Sequence, residues 1–174
     1  MNLPLTHLGN PVLRQKSTSV PESEINLPKF QQFLDDLIDT MHANEGVGIA
    51  AVQVGIPKLI FVVECKENKR YPKSPNIPLQ IFINPHVELL KSGEEKDWEG
   101  CLSVPGLRGE VPRAKVVRLK ALDRNGQRIE LEARDFFARV IQHEWDHLQG
   151  RVYLDRMQGL ETLTFLDEFA KFWS

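Results

Sequence analysis

The chain has 174 residues, of which 41% are apolar and 26% charged, and its formal net charge is −2. That profile fits one soluble globular domain spanning 1–174, and it gives no global pull toward nucleic acid or an anionic membrane. No stretch approaches the ~20 apolar residues of a membrane span. The start, Met1-Asn2-Leu3-Pro4-Leu5-Thr6-His7, lacks the basic and apolar regions of a secretion signal, so the expected location is the cytoplasm. Cys65 and Cys101 are then expected as free thiols.

In chain order, Gly9-Asn10-Pro11 marks a turn into a short irregular arm. Leu27-Pro28 opens a helix in which Phe30, Phe33, Leu34, Leu37, Ile38 and Met41 form a 3.6-period stripe, and Asn44-Glu45-Gly46 ends it. Next comes Gly46-Val47-Gly48-Ile49-Ala50-Ala51-Val52-Gln53, too short in glycines for a dinucleotide loop. Its small residues leave room for another backbone to come close; the plainer alternative is a tight core strand and turn. Gln53 is the polar exception there, and a buried amide needs a partner.

Residues 59–64 read as a buried strand with Cys65 at its end, and 66–78, with Pro72, Pro75 and Pro78, as a polar surface loop. Strands are expected over 79–84 and 87–90, then a charged turn over 92–97. Residues 115–122 and 128–133 flank Asn125-Gly126 and read as a hairpin with a type I′ turn. A last helix is expected over 160–173, with Leu163, Leu166, Phe169 or Ala170, and Trp173 turned inward.

The most informative helix spans 138–148 and contains His143-Glu144-Trp145-Asp146-His147, an H-E-x-x-H pattern. Residues four apart share a helix face, so both imidazoles can reach one metal ion at about 2.0–2.1 Å. Glu144 is placed to exchange protons with water beside the ion. Coincidence on a charged helix face is the plain alternative. Asp146 is expected as an exposed helix charge, with a contact to a ligand or to Arg113 as the alternative. His7, His42 and His86 lack spaced partners.

A third ligand has two sources. Downstream, the longer zinc-protease pattern would place a third histidine at 153; Gly150 fits that pattern, but Tyr153 stands where the histidine should be. Glu161 or Glu168 could serve instead, although both fall on the charged side of the last helix. Upstream, Cys101 sits in the flexible setting Glu99-Gly100-Cys101-Leu102-Ser103, and a thiolate binds zinc or ferrous iron well. A small buried hydrophobe is the commoner fate of a free cysteine.

Taken in order, Gly46–Gln53, Glu99–Ser103 and Gln142-His143-Glu144-Trp145-Asp146-His147-Leu148 resemble the three signatures of the peptide deformylases. Trp145 is a bulky choice at the variable position of the third. The resemblance implies an α+β fold, with antiparallel β-sheets packed around a central HExxH helix between an N-terminal and a C-terminal helix. It implies Cys101, His143 and His147 as metal ligands with water in the fourth position, and Glu144 as general acid/base. It implies Gln53 and the backbone N–H of Leu102 as donors to the formyl oxygen. Val47 and Gly48 would bond an extended peptide, with Arg108 near its path and Phe136 and Val140 lining the pocket for the first side chain. The implied cofactor is one divalent ion, Fe2+ first, with Zn2+ or Ni2+ able to replace it. The implied substrates are N-formyl-methionyl nascent peptides. Some relatives contact the ribosome through a C-terminal extension, whereas the last helix here has a single lysine, Lys171, and no basic cluster.

Two competitors follow from the same residues. One is a zinc peptidase using Glu161 or Glu168 as third ligand. The other is a peptide-binding module with a closed, structural metal site.

Overall fold

The computed structural model describes residues 1–174 apart from 67, 69, 70, 72, 73, 92 and 174. A one-turn helix α1 (Glu22–Ile25) precedes α2 (Pro28–Ala43). Strands β1 (Gly48–Ala50), β2 (Ile60–Cys65) and β3 (Ile77–Leu89) follow. Then come β4 (Glu94–Cys101), β5 (Val104–Ala114), β6 (Val116–Leu122) and β7 (Arg128–Arg134). Helix α3 (Asp135–Leu148), the two-residue β8 (Thr164–Phe165) and α4 (Leu166–Phe172) finish the order. The named strands pair antiparallel in two sheets, β1-β2-β3-β6-β7 and β4-β5-β8. This is the expected α+β arrangement around the HExxH helix.

The larger sheet is buried on both faces, which explains the unbroken apolar run of β2. Alternate side chains of a strand face opposite ways. Phe61 and Val63 therefore join Phe82, Val117 and Leu119 under α3, while Ile60 and Val62 join Ile81 and Ile83 under α2. The α2 stripe enters as its spacing predicts, through Leu34, Leu37, Ile38 and Met41, with Phe30 and Phe33 half-buried beside them. Each such large apolar side chain, fully buried, is worth about 1.5–3 kcal/mol. Helix α3 lies between the sheets, touching β1, β2 and β7 on one side and β5 on the other.

Several expectations need correction. The two strands expected over 79–84 and 87–90 are one strand, β3, with a register shift between Ile83 and His86. Asn84 absorbs the bend with φ 51, and its amide exchanges two hydrogen bonds with the Val20 backbone, both 2.8 Å. The expected turn over 92–97 is strand from Glu94 onward; Ser92 lies outside the described residues. The 66–78 loop ends early, because Ile77 and Pro78 already belong to β3, and Pro72 lies outside the described residues. The hairpin exists, but only Gly126 has positive φ (78°). Asp123 accepts from the Gly126 N–H at 3.0 Å, which makes a type I turn closed by a glycine bulge instead of type I′.

The C-terminal helix is seven residues long, and Thr164 and Phe165 pair with Arg108 and Leu107 instead of coiling. Leu163 and Phe169 are half-buried, while Leu166, Ala170 and Trp173 are exposed. Cys65 and Cys101 are both free and buried, and Cys65 ends β2 as expected. Among the described residues no helix is long and apolar enough to cross a membrane.

Candidate metal centre and active-site cleft

The N-terminal arm ties the site's elements together. Thr6 N–H bonds the Gln53 carbonyl, Leu8 N–H the Ser103 carbonyl, and Ser17 N–H the Leu148 carbonyl, at 2.8, 2.8 and 2.9 Å. At the end of β4, the pairing with β5 shifts register between Glu99 and Cys101. That places a carboxylate and a thiol against α3. Cys101 Sγ is 3.2 Å from His147 Nε2, and the donor atoms of Cys101, His143 and His147 all lie within 4.8 Å of one another. Bonds of about 2.0–2.3 Å to a single ion can bridge such a span.

Supporting contacts favour the same use. Glu99 Oε2 takes the Nδ1 side of His143 at 2.9 Å, which leaves Nε2 for an ion. Arg113 grips both Glu99 oxygens at 2.8 and 3.0 Å, and Arg139 Nη1 reaches Oε1 at 2.9 Å. Burial alone would raise the Glu99 carboxyl, but Arg113 and His143 hold it well below the usual carboxylate range. Burial would likewise push the Cys101 thiol up, and the neighbouring His147 and His143 outweigh it, so the thiolate is favoured. The residues present fit a divalent ion held by two imidazoles and a thiolate.

Cys101 and His143 open onto a cleft lined by Val47, Gly48, Gln53, Leu102, Phe136 and Glu144 among others, Val140 included. Glu144 is 3% exposed, and its Oε2 has no hydrogen-bond partner among the described residues. Burial pushes its carboxyl up to about 7, in the range suited to a proton shuttle near neutral pH. Gly48 makes that position possible: a Cβ there would lie 2.5 Å from Glu144 Oε1. The small-residue stretch thus admits the Glu144 side chain. Gln53 is pinned through Oε1, which accepts the Ala50 N–H at 2.8 Å, so Nε2 faces Cys101 Sγ at 3.6 Å and Ser103 Oγ at 3.2 Å.

The structure gathers ten of the eleven expected site residues into this centre and cleft, His147 sitting behind His143 as a fully buried ligand candidate. Arg108 is the exception. Its guanidinium lies against the rings of Tyr71 and Phe169, and it does not line the cleft. Asp146 is not the exposed charge expected: it is buried and held by Arg113 at 2.5 Å and Arg156 at 2.6 Å. The downstream ligand candidates fall away. Tyr153 is buried and stacks on His143 at 6.2 Å between ring centres. Gly150 answers a different need, with φ 74 and a Cβ that would meet the Arg14 carbonyl oxygen at 2.5 Å. Glu161 is exposed and Glu168 pairs with Lys171 at 2.7 Å. Sequence reasoning missed Glu99 and Arg139 as supports, and Tyr71 as cleft wall; Arg113 it named only as an alternative partner of Asp146, a contact that is present. Arg139, Gln142, His143 and Asp146 fall at i, i+3, i+4 and i+7, a polar stripe that could have been read as one buried face.

A family model described as polypeptide deformylase matches residues 2–162. The chain belongs to the polypeptide deformylase family. It is 44% identical to peptide deformylase 1 of Bordetella pertussis over 153 residues, 88% of this chain and 86% of that one. It is 41% identical to the peptide deformylase of Leptospira biflexa, covering 92% and 90% of the two chains. A Met-Ala-Ser-bound crystal structure of a class I type b peptide deformylase from Acinetobacter baumannii superposes with a TM-score of 0.87 at 37% identity, covering 90% of this chain and 99% of that one. The family consists of metal-dependent hydrolases that remove the N-formyl group from new polypeptides, and this chain carries a Cys/His/His group suited to a metal.

Proposed function

We propose that the cleft hydrolyses the formyl amide of N-formyl-methionyl peptides, with formate and a free peptide amine as products. The observation that carries this reading is the meeting of Cys101, His143 and His147 within 4.8 Å, beside Glu144 and Gln53 in one cleft. Cys101, His143 and His147 would hold the ion, Fe2+ by preference, with Zn2+ or Ni2+ as substitutes. When bound, the ion supplies Lewis acidity to the amide carbonyl and to water.

The chain's own groups do the rest. Glu144 removes a proton from the attacking water at its carboxylate and delivers it to the leaving peptide nitrogen, which cannot depart as an anion. Gln53 Nε2, held in place by the Ala50 bond at 2.8 Å, donates to the formyl oxygen as negative charge develops there. The backbone N–H of Leu102 is the second donor; one such donor is worth about 3–4 kcal/mol of barrier. Val47 and Gly48 take the peptide as an added strand beside β1. Phe136 and Val140 receive the methionine side chain. A cytoplasmic location and nascent chains as substrate complete the proposal; a transient ribosome contact would need a surface other than the last helix, whose one lysine is Lys171.

The test is formate release from a formyl-Met tripeptide, alongside metal analysis of protein purified without air. Activity should follow iron content and fall in air, since a thiolate–iron(II) pair oxidises. Air-indifferent activity that follows zinc content sinks the iron assignment. Retention of metal by Cys101→Ala, with loss from Glu161→Ala or Glu168→Ala, sinks the ligand assignment in favour of a peptidase.

A further inference from the structure

We propose that Tyr71 is a specificity-determining residue for the first side chain of the substrate, and that Arg108 and Phe169 are positioning residues that fix its ring. The inference rests on the deformylase reading above. Tyr71 lines the cleft with Phe136 and Val140. Its ring lies 5.2 Å from that of Phe136, inclined by 56°, so the two form one aromatic wall. The Tyr71 hydroxyl accepts the Gly100 N–H at 3.4 Å, next to Cys101, and so ties the wall to the metal-ligand strand.

The same ring is covered by a cation. The Arg108 guanidinium carbon is 4.9 Å from the Tyr71 ring centre and 4.9 Å from that of Phe169. Arg108 is only 7% exposed, so its planar charge is held between two rings. Phe169 in turn packs T-shaped on Trp98 of β4, with ring centres 4.8 Å apart. A row of stacked groups therefore runs from β4 through α4 and back to the cleft wall. No residue of α4 is fully buried, and Leu166 and Phe172 of the same helix are exposed. The Phe169 stack is thus what this short helix contributes to the cleft.

An apolar pocket discriminates by shape, and it does so only if its walls stay put. A ring held by the Phe136 contact, the Arg108 stack and the Gly100 bond is fixed in that way. Arg108 then acts on the substrate through Tyr71, which accounts for its place outside the cleft lining.

The experiment compares kcat and KM for formyl-Met and formyl-Ala tripeptides of otherwise identical sequence. Tyr71→Ala should lower the Met-over-Ala ratio of kcat/KM about tenfold, mainly through KM for the longer side chain. Tyr71→Phe keeps the stack but loses the Gly100 bond, and should lower the ratio by less than Tyr71→Ala does. Phe169→Ala should shift the ratio the same way by roughly threefold, Phe169→Trp should restore it, and Tyr71→Ala with Phe169→Ala together should go no further than Tyr71→Ala alone. An unchanged ratio in Tyr71→Ala overturns the specificity role. Equal losses on both peptides in Phe169→Ala, or effects that multiply in the double variant, overturn the positioning role. Absence of formate release by the wild-type protein overturns the deformylase reading itself, which separates the two failures.

Discussion

Helix α3 is buried on two sides, and the two sides obey different chemistry. Toward the larger sheet it presents Ala138, Ile141 and Leu148, packed with Phe61, Val63, Phe82 and Val117. Toward β4 and β5 it presents Arg139, Gln142, His143 and Asp146. Apolar burial is favourable by about 25 cal/mol per Å² whatever the orientation of the groups. Burial of charge is costly and is offset only when every partner sits at the right angle and distance. Arg113 shows the second case: it bonds Glu99 and Asp146 together, and Asp146 also takes Arg156. The apolar side therefore supplies stability, and the polar side supplies placement of the ligands.

That division can be broken or sharpened by substitution. Glu144→Gln, at the seam between the two sides, should cut kcat by about 10²–10⁴ while metal content and melting temperature stay put. Equal turnover by the variant would remove the proton-transfer role. Arg113→Met leaves two buried carboxylates under-compensated and should cost about 3–5 kcal/mol in urea unfolding. A stability loss below 1 kcal/mol, a floor set by the worth of an ordinary exposed pair, would show that the polar side is not held as described. Ile141→Ala removes a buried side chain from the apolar side and should cost about 2–5 kcal/mol, with metal stoichiometry in the folded fraction intact. Loss of metal in that variant would mean the two sides are not separable. Glu99→Gln should weaken metal binding about 10–100-fold in a chelator competition, since His143 loses its charged partner. Undiminished affinity there would reassign Glu99 to a purely structural part.

The sequence made legible whatever repeats at short range. The α2 stripe, the β2 run, the hairpin and the His143–His147 spacing each follow from local periodicity, and each appears where expected. β5 was not legible. Pro105, Gly106, Gly109 and Pro112 disguise an eleven-residue strand, because its ladder with β4 is decided by pairing across the turn and not by composition. The helix expected over 160–173 failed for a similar reason: β5 claims Thr164 and Phe165 for pairing. In the site, the meeting of Cys101, His143 and His147 beside Glu144 was recoverable from motifs. For Asp146 the alternative, a pair with Arg113, held over the exposed charge, because a helix charge carries no mark of burial until Arg113 and Arg156 are brought alongside by the fold.

The larger sheet has two outer borders, and they are finished in opposite ways. At β7 the outward positions are Arg128, Glu130, Glu132 and Arg134, two acids between two arginines, a charged row that refuses a stray strand. At β1 the border is short and uncharged: Ile49 and Ala50 are buried in the cores, and Gly48, bare of any side chain, lines the cleft. A protein whose trade is with unfolded chains meets extended backbones continually. On the proposed reading, β1 is the border of this sheet left open to the substrate strand, and the charged β7 border keeps that adhesion from becoming aggregation.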